Sequence, residues 1–160
     1  MDEIYCTISQ KRSGIDTMPR LNWEQYALEL AKTASLRSED PFRKVGACAL
    51  SNDNRVLGVA YNGLKEGKNV DSLFWKDRDK RRPYMIHAEA NLMSLFNRNE
   101  CGLIAVTLLP CASCAKLICA WNIPRVVYLD EYDNIDAIHT KEIFDFYNIE
   151  CVKLWNLKNS

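Results

Sequence analysis

Residues 101–121 read CGLIAVTLLPCASCAKLICAW, and the change of pattern halfway along them decides the fold class. From Leu103 to Leu108 the chain is almost unbroken in apolar residues, the mark of a strand buried on both faces. Pro110 closes that run, and from Cys111 to Trp121 a helix is predicted that must stop before Pro124. The same unit recurs downstream: a strand over Arg125 to Leu129, a helix over Asp136 to Tyr147, and a strand over Glu150 to Leu154. Strands alternating with helices predict an α/β layered domain with a central sheet and helices on its faces.

Upstream, a helix is expected to start near His87, with Ala88, Leu92, Leu95 and Phe96 on one face. Residues 62 to 83 are polar, carry mixed charge from Lys76 to Arg82, and read as a long loop. Before them, Val45 to Leu50 and Arg55 to Tyr61 flank a Ser51-Asn52-Asp53-Asn54 turn signal, as in a β-hairpin. Trp23, Tyr26, Ala27, Leu30, Ala31 and Ala34 recur at helical spacing, with Asn22 and Gln25 placed as a capping box and Leu21 facing Tyr26 as a staple; Ser38 to Pro41 ends that helix. Residues 1 to 20 have no sustained period and read as an arm, leaving 21 to 160 as one domain. The expectation is a three-layer α/β/α fold around a mixed sheet of five strands, the first two forming the hairpin.

Composition narrows the function. With 21 Lys+Arg against 21 Asp+Glu there is no overall basic field, so a small substrate is expected and no stable nucleic-acid partner. No apolar run reaches the roughly 18 residues of a membrane helix, and the first residues do not read as a signal peptide, so the chain is expected to be soluble and cytoplasmic. Seven cysteines, an odd number, argue for reduced thiols and a metal site rather than a disulfide framework. Cys6, Cys48, Cys101, Cys119 and Cys151 stand singly and read as small buried hydrophobes.

The chemistry concentrates in His87-Ala88-Glu89 and Pro110-Cys111-Ala112-Ser113-Cys114. One histidine and two cysteines supply three donors of the softness Zn²⁺ prefers and leave a fourth tetrahedral position open, the pattern of a catalytic site. The remaining histidine, His139, lies in a late amphipathic helix and reads as an ordinary surface or half-buried residue. Side chains tilt toward a helix N-terminus, so His87 and Glu89 in one first turn address a common point, as Cys111 and Cys114 do from another at i and i+3. Positive helix ends favour the thiolate form of the cysteines. A zinc ion lowers the pKa of a bound water to about 7, and Glu89, left outside the metal's ligands, is the proton carrier such a hydrolysis needs.

These residues, together with Lys44-Val45-Gly46-Ala47-Cys48, Ala60-Tyr61-Asn62-Gly63, Tyr84 to Asn91, Leu109 to Lys116 and Tyr128 to Asp133, resemble the cytidine deaminase superfamily, and within it the deoxycytidylate deaminase family, over roughly Asn22 to Lys153. The resemblance implies one zinc ion per chain held by His87, Cys111 and Cys114, with Glu89 as the proton shuttle. It implies hydrolysis of dCMP to dUMP and ammonia, a step that supplies dUMP for dTMP synthesis. It further implies that Asn62 bonds the deoxyribose, that the Ala88 N–H reads the base O2, and that Tyr132 contacts substrate. For Asn62 the residues alone allow equally the turn role of an Asn-Gly pair, and for Tyr132 they favour packing or a solvent-facing loop over substrate contact. The 5′-phosphate needs cations, for which Arg43, Lys44, Lys68, Lys76 and Arg78 are candidates. Family members are homo-oligomers, often hexamers, and respond allosterically to dCTP and dTTP through a segment where this chain carries Ala60 in place of glycine, which leaves regulation open. Competing readings are a cytidine or deoxycytidine deaminase, a polynucleotide deaminase of the tRNA adenosine type, and a catalytically silent zinc module that serves interactions.

Overall fold

The computed structural model describes residues 19–155; most of the expected arm, residues 1 to 18, lies outside the described residues, as do residues 156 to 160. The first helix, α1 (Trp23–Ser35), starts as expected: Asn22 Oδ1 accepts from Gln25 N at 2.8 Å, and Gln25 Oε1 accepts from Asn22 N at 3.0 Å. Its buried face is Ala27, Leu28, Ala31 and Ala34, whereas Trp23 and Tyr26, expected to face inward, are exposed and meet edge to face with centroids 6.0 Å apart. The reason is proximity. Small side chains let α1 lie so close to the sheet that a Cβ at Gly46 would fall 1.9 Å from Ala31 O, leaving no room for an aromatic ring beneath the helix.

Strands β1 (Gly46–Ser51) and β2 (Val56–Tyr61) form the expected hairpin, with Asn54 in the left-handed region at φ 64° closing the turn. β3 (Cys101–Leu108) pairs antiparallel with β1 and parallel with β4 (Arg125–Asp130), which in turn pairs parallel with β5 (Glu150–Lys153). The order β2-β1-β3-β4-β5 gives a mixed five-stranded sheet. One face packs Cys48, Leu50, Leu103, Ala105 and Val127 against α1. The other packs Ala47, Ala49, Ile104, Val106 and Val126 against Leu92, Ala115, Ile118 and Phe144, which come from three helices described next. Burial on both faces is why β3 reads as a continuous apolar run.

Those helices are α4 (Ala88–Met93), α5 (Ala112–Ala120) and α6 (Ile135–Phe146). Both α5 and α6 end on an asparagine in the left-handed region, Asn122 at φ 60° and Asn148 at φ 55°. In each case the next residue reaches back five positions, Ile123 N to Ile118 O at 3.3 Å and Ile149 N to Phe144 O at 2.8 Å, so that asparagine does the work more often given to glycine. The helix at His87 is shorter than expected: it stops at Met93, leaving Leu95 exposed while Phe96 is buried.

The region read as loop over 62 to 83 holds short helical turns instead, α2 (Ser72–Lys76), α3 (Arg78–Arg81) and a 3₁₀ turn over Arg82–Tyr84. Asp71 and Asp77 start the first two, accepting from Phe74 N at 3.0 Å and Lys80 N at 3.1 Å. The two aspartates at N-cap positions were the signal, hidden by the lack of apolar periodicity.

Candidate active site

His87 and Cys111 are the residues immediately before α4 and α5, each in extended backbone at φ −70°, and Cys114 lies in the first turn of α5. α4 is seated by burial of Ala88, Leu92 and Met93 and by a hydrogen bond from Asn91 Nδ2 to Tyr61 O at 2.9 Å. The turn into α5 is held by two bonds, Leu109 N to Asp130 O at 2.7 Å and the fully buried Thr140 Oγ1 to Pro110 O at 2.8 Å. Two helix starts from separate crossovers are thus fixed over the same end of the sheet.

They bring the donor atoms of His87, Cys111 and Cys114 within 4.8 Å of one another, the one such cluster of His, Cys, Asp or Glu among the described residues; exposed His139 is not in it. His87 Nδ1 stands 3.6 Å from Cys111 Sγ and 3.4 Å from Cys114 Sγ. Zinc–sulfur and zinc–nitrogen bonds of about 2.3 and 2.0 Å meeting at a tetrahedral angle place nitrogen and sulfur about 3.5 Å apart, so the three side chains fit a tetrahedral zinc ion. Hydrogen bonding with Cys114 and then with His87 holds the Cys111 thiol below its ordinary range, and the same contact raises Cys114, so the pair shares one readily formed thiolate. The Cys111 contact in turn raises the His87 imidazole.

Glu89, 4% exposed, sits beside this cluster, and burial pushes its carboxyl up to about 7. A carboxyl poised near neutrality both takes and returns a proton. In contrast, Cys48 and Cys101 are buried in the sheet and their thiols are pushed up to about 12, so they pack as apolar groups. The six cysteines of the described residues are all free.

A cavity of about 530 Å³ opens beside these groups, lined by His87, Ala88, Glu89 and Cys111 and, further out, by Arg43, Asn62 and Tyr132. Lys44, also expected to touch substrate, is left out: it is exposed and outside the lining. Among the other cations considered, Lys76 and Arg78 line the cavity and Lys68 does not. Asn62 is 8% exposed and engaged: Oδ1 accepts from Ser38 Oγ at 2.8 Å and Val45 N at 2.9 Å, and Nδ2 donates to Arg43 O at 2.9 Å. An amide carries two N–H groups, so one Nδ2 hydrogen is left for a ligand. Tyr132, 42% exposed, has the Arg43 guanidinium 5.0 Å from its ring centroid.

The sequence reading missed Asp40, Trp75, Arg81 and Arg82, all in the lining. The apolar triplet Leu73-Phe74-Trp75 inside a polar stretch was a usable signal for Trp75. The basic run from Arg78 to Arg82 gave no means of telling a buried arginine from solvated ones.

The chain matches, over residues 21–130, the model of the cytidine and deoxycytidylate deaminase zinc-binding region. It is 32% identical over 140 residues to the deoxycytidylate deaminase of Pongo abelii, covering 81% of this chain and 78% of that protein. It is 34% identical over 128 residues to the deoxycytidylate deaminase of Mycobacterium phage D29, covering 71% of this chain and 99% of that one. The fold is similar to that of the dCMP deaminase from the cyanophage S-TIM5 in complex with dCMP and dUMP, with TM-score 0.65 and 24% identity over 79% of this chain and 93% of that one. No helix among the described residues is long and apolar enough to cross a membrane. A sequence match spanning both helix starts, on a fold and a donor set that fit zinc, shows that this chain is a zinc enzyme of the cytidine and deoxycytidylate deaminase family.

Proposed function

We propose that the enzyme hydrolyses dCMP to dUMP and ammonia, with His87, Cys111 and Cys114 holding its zinc ion and Glu89 moving the protons. The observation that carries this reading is a buried carboxyl beside three metal donors, at a cavity whose lining includes four exposed cations, Arg43, Lys76, Arg78 and Arg82. Zinc bound there supplies a Lewis acid that makes water a nucleophile near neutral pH. Glu89 takes the proton of the attacking water and delivers it to ring N3 as the oxygen bonds to C4. It then carries the proton left on the C4-bound oxygen to the exocyclic nitrogen, and as the C4=O bond forms the C4–N bond breaks and ammonia leaves. Ala88 is the first residue of α4, so its N–H has no partner within the helix and is available to the base O2. The free Nδ2 hydrogen of Asn62 suits a sugar hydroxyl, and the cations suit the 5′-phosphate of a nucleotide.

The test is to incubate the zinc-loaded protein with dCMP, dCTP, deoxycytidine and CMP and to follow loss of cytosine absorbance. The expected outcome is fastest turnover of dCMP with ammonia released in equal amount. Equal or faster turnover of deoxycytidine would replace the nucleotide reading with a nucleoside one.

A further inference from the structure

The segment 71–84 forms the cationic wall of the cavity, contributing Trp75, Lys76, Arg78, Arg81 and Arg82 to its lining. Its helices are five and four residues long, far too short to hold themselves together in water. Nor does it sink an apolar side chain into the core: Leu73 is 68% exposed, Phe74 and Trp75 are half-buried, and the one buried residue of the segment is Arg81. Arg81 Nη1 donates to Asp40 Oδ2 at 2.7 Å, with both side chains at least nine-tenths buried, and the guanidinium lies 4.7 Å from the Phe42 ring centroid.

Asp40 reaches in two directions. While Oδ2 takes Arg81, Oδ1 accepts from Phe42 N at 2.8 Å and Arg43 N at 3.2 Å, shaping the turn that carries Arg43. Arg43 O then accepts from Asn62 Nδ2 at 2.9 Å, and Asn62 is followed by Gly63, whose backbone exchanges hydrogen bonds with Ile86, the residue before His87. A continuous set of bonds therefore runs from the cationic wall through Asp40 and Asn62 to the chain entering the metal site.

Arg81 Nε is buried and has no hydrogen-bond partner, so this pin is not the arrangement that maximises stability; an apolar side chain would serve that end better. What an ion pair provides that an apolar contact lacks is direction. We propose that the Asp40–Arg81 pair is a positioning device that fixes the cationic wall against the catalytic end, and that it thereby sets the preference for a 5′-nucleotide over the corresponding nucleoside. This inference rests on the proposed dCMP activity and names the part of the molecule that makes it selective. Arg81, its charge met by Asp40, is a positioning residue, and the exposed cations around it are left to meet phosphate.

The test measures kcat and KM for dCMP and for deoxycytidine with the zinc-loaded wild type, Arg81→Gln, Arg81→Lys and Asp40→Asn, together with zinc content and Tm. Asp40→Asn keeps the oxygen that shapes the turn and weakens only the pair, so it carries the comparison should Arg81→Gln fail to fold. The expected result is a rise in KM for dCMP and a fall of roughly ten- to a hundredfold in the dCMP-to-deoxycytidine ratio of kcat/KM in Arg81→Gln and Asp40→Asn, with zinc near one per chain and most of the ratio restored in Arg81→Lys. A lowered Tm with an unchanged ratio in a dCMP-selective enzyme would overturn the positioning role and leave the proposed function standing. A wild type without preference for dCMP would overturn both.

Discussion

The helix starts at His87 and Cys111 and the segment 71–84 are neighbouring walls of one cavity, held by opposite means. α4 and α5 bury Leu92, Met93, Ala115 and Ile118 in the main core, and Thr140 and Asn91 lock their entry turns. The other wall rests on one ion pair and on two aspartate-capped turns. Bond making and breaking needs reacting groups held to a fraction of an ångström, which close packing provides. Reading a flexible, charged ligand needs cations near water, and a segment that presents them cannot also be buried.

The sharpest way to break this contrast is to remove the metal. Chelation should abolish turnover and lower Tm, and added zinc should restore both, because binding and folding of the donor set are linked; activity that survives full depletion, checked by elemental analysis, would end the metal reading. Next comes Glu89→Gln, expected to lose turnover by about 10²–10⁴-fold while keeping its zinc.

Leu92→Ala or Ile118→Ala, both fully buried, should cost about 2–5 kcal/mol of stability in denaturant unfolding. Thr140→Val leaves Pro110 O buried without its donor and should cost about 1–3 kcal/mol, with weaker zinc retention in competition with a chelator. Smallest of all, Leu73→Ala in the cationic wall should stay within about 0.5 kcal/mol. A large loss at Leu73 would show that the wall is anchored by apolar contact after all.

Much of the metal frame was legible from the chain alone. The nearly unbroken apolar run at Leu103 to Leu108 and the strand pattern over Arg125 to Leu129 match β3 and β4, and both helix starts fall within a residue of their expected places. The inward face of α1 differs from the expectation because helical spacing puts Trp23 and Tyr26 on one stripe with the alanines, while the close approach at Gly46 favours small side chains. The wall reads as loop in the sequence because its order comes from caps and a distant aspartate. Neither leaves a period in the sequence.

Donor identity, spacing and the strand-to-helix rhythm are local properties, and the sequence by itself determined them: three side chains with donors soft enough for zinc, a carboxyl two residues from one of them, and an α/β chain to carry both. Partnership across long separations belongs to the tertiary structure. It alone decided that Arg81 meets Asp40, forty-one positions away, that Asn62 spends most of its hydrogen bonds inside the protein, and that Arg43 faces the cavity while Lys44 does not. A charged residue looks the same in a sequence whether it is solvated or paired, because that difference lies in the environment the folded chain builds around it.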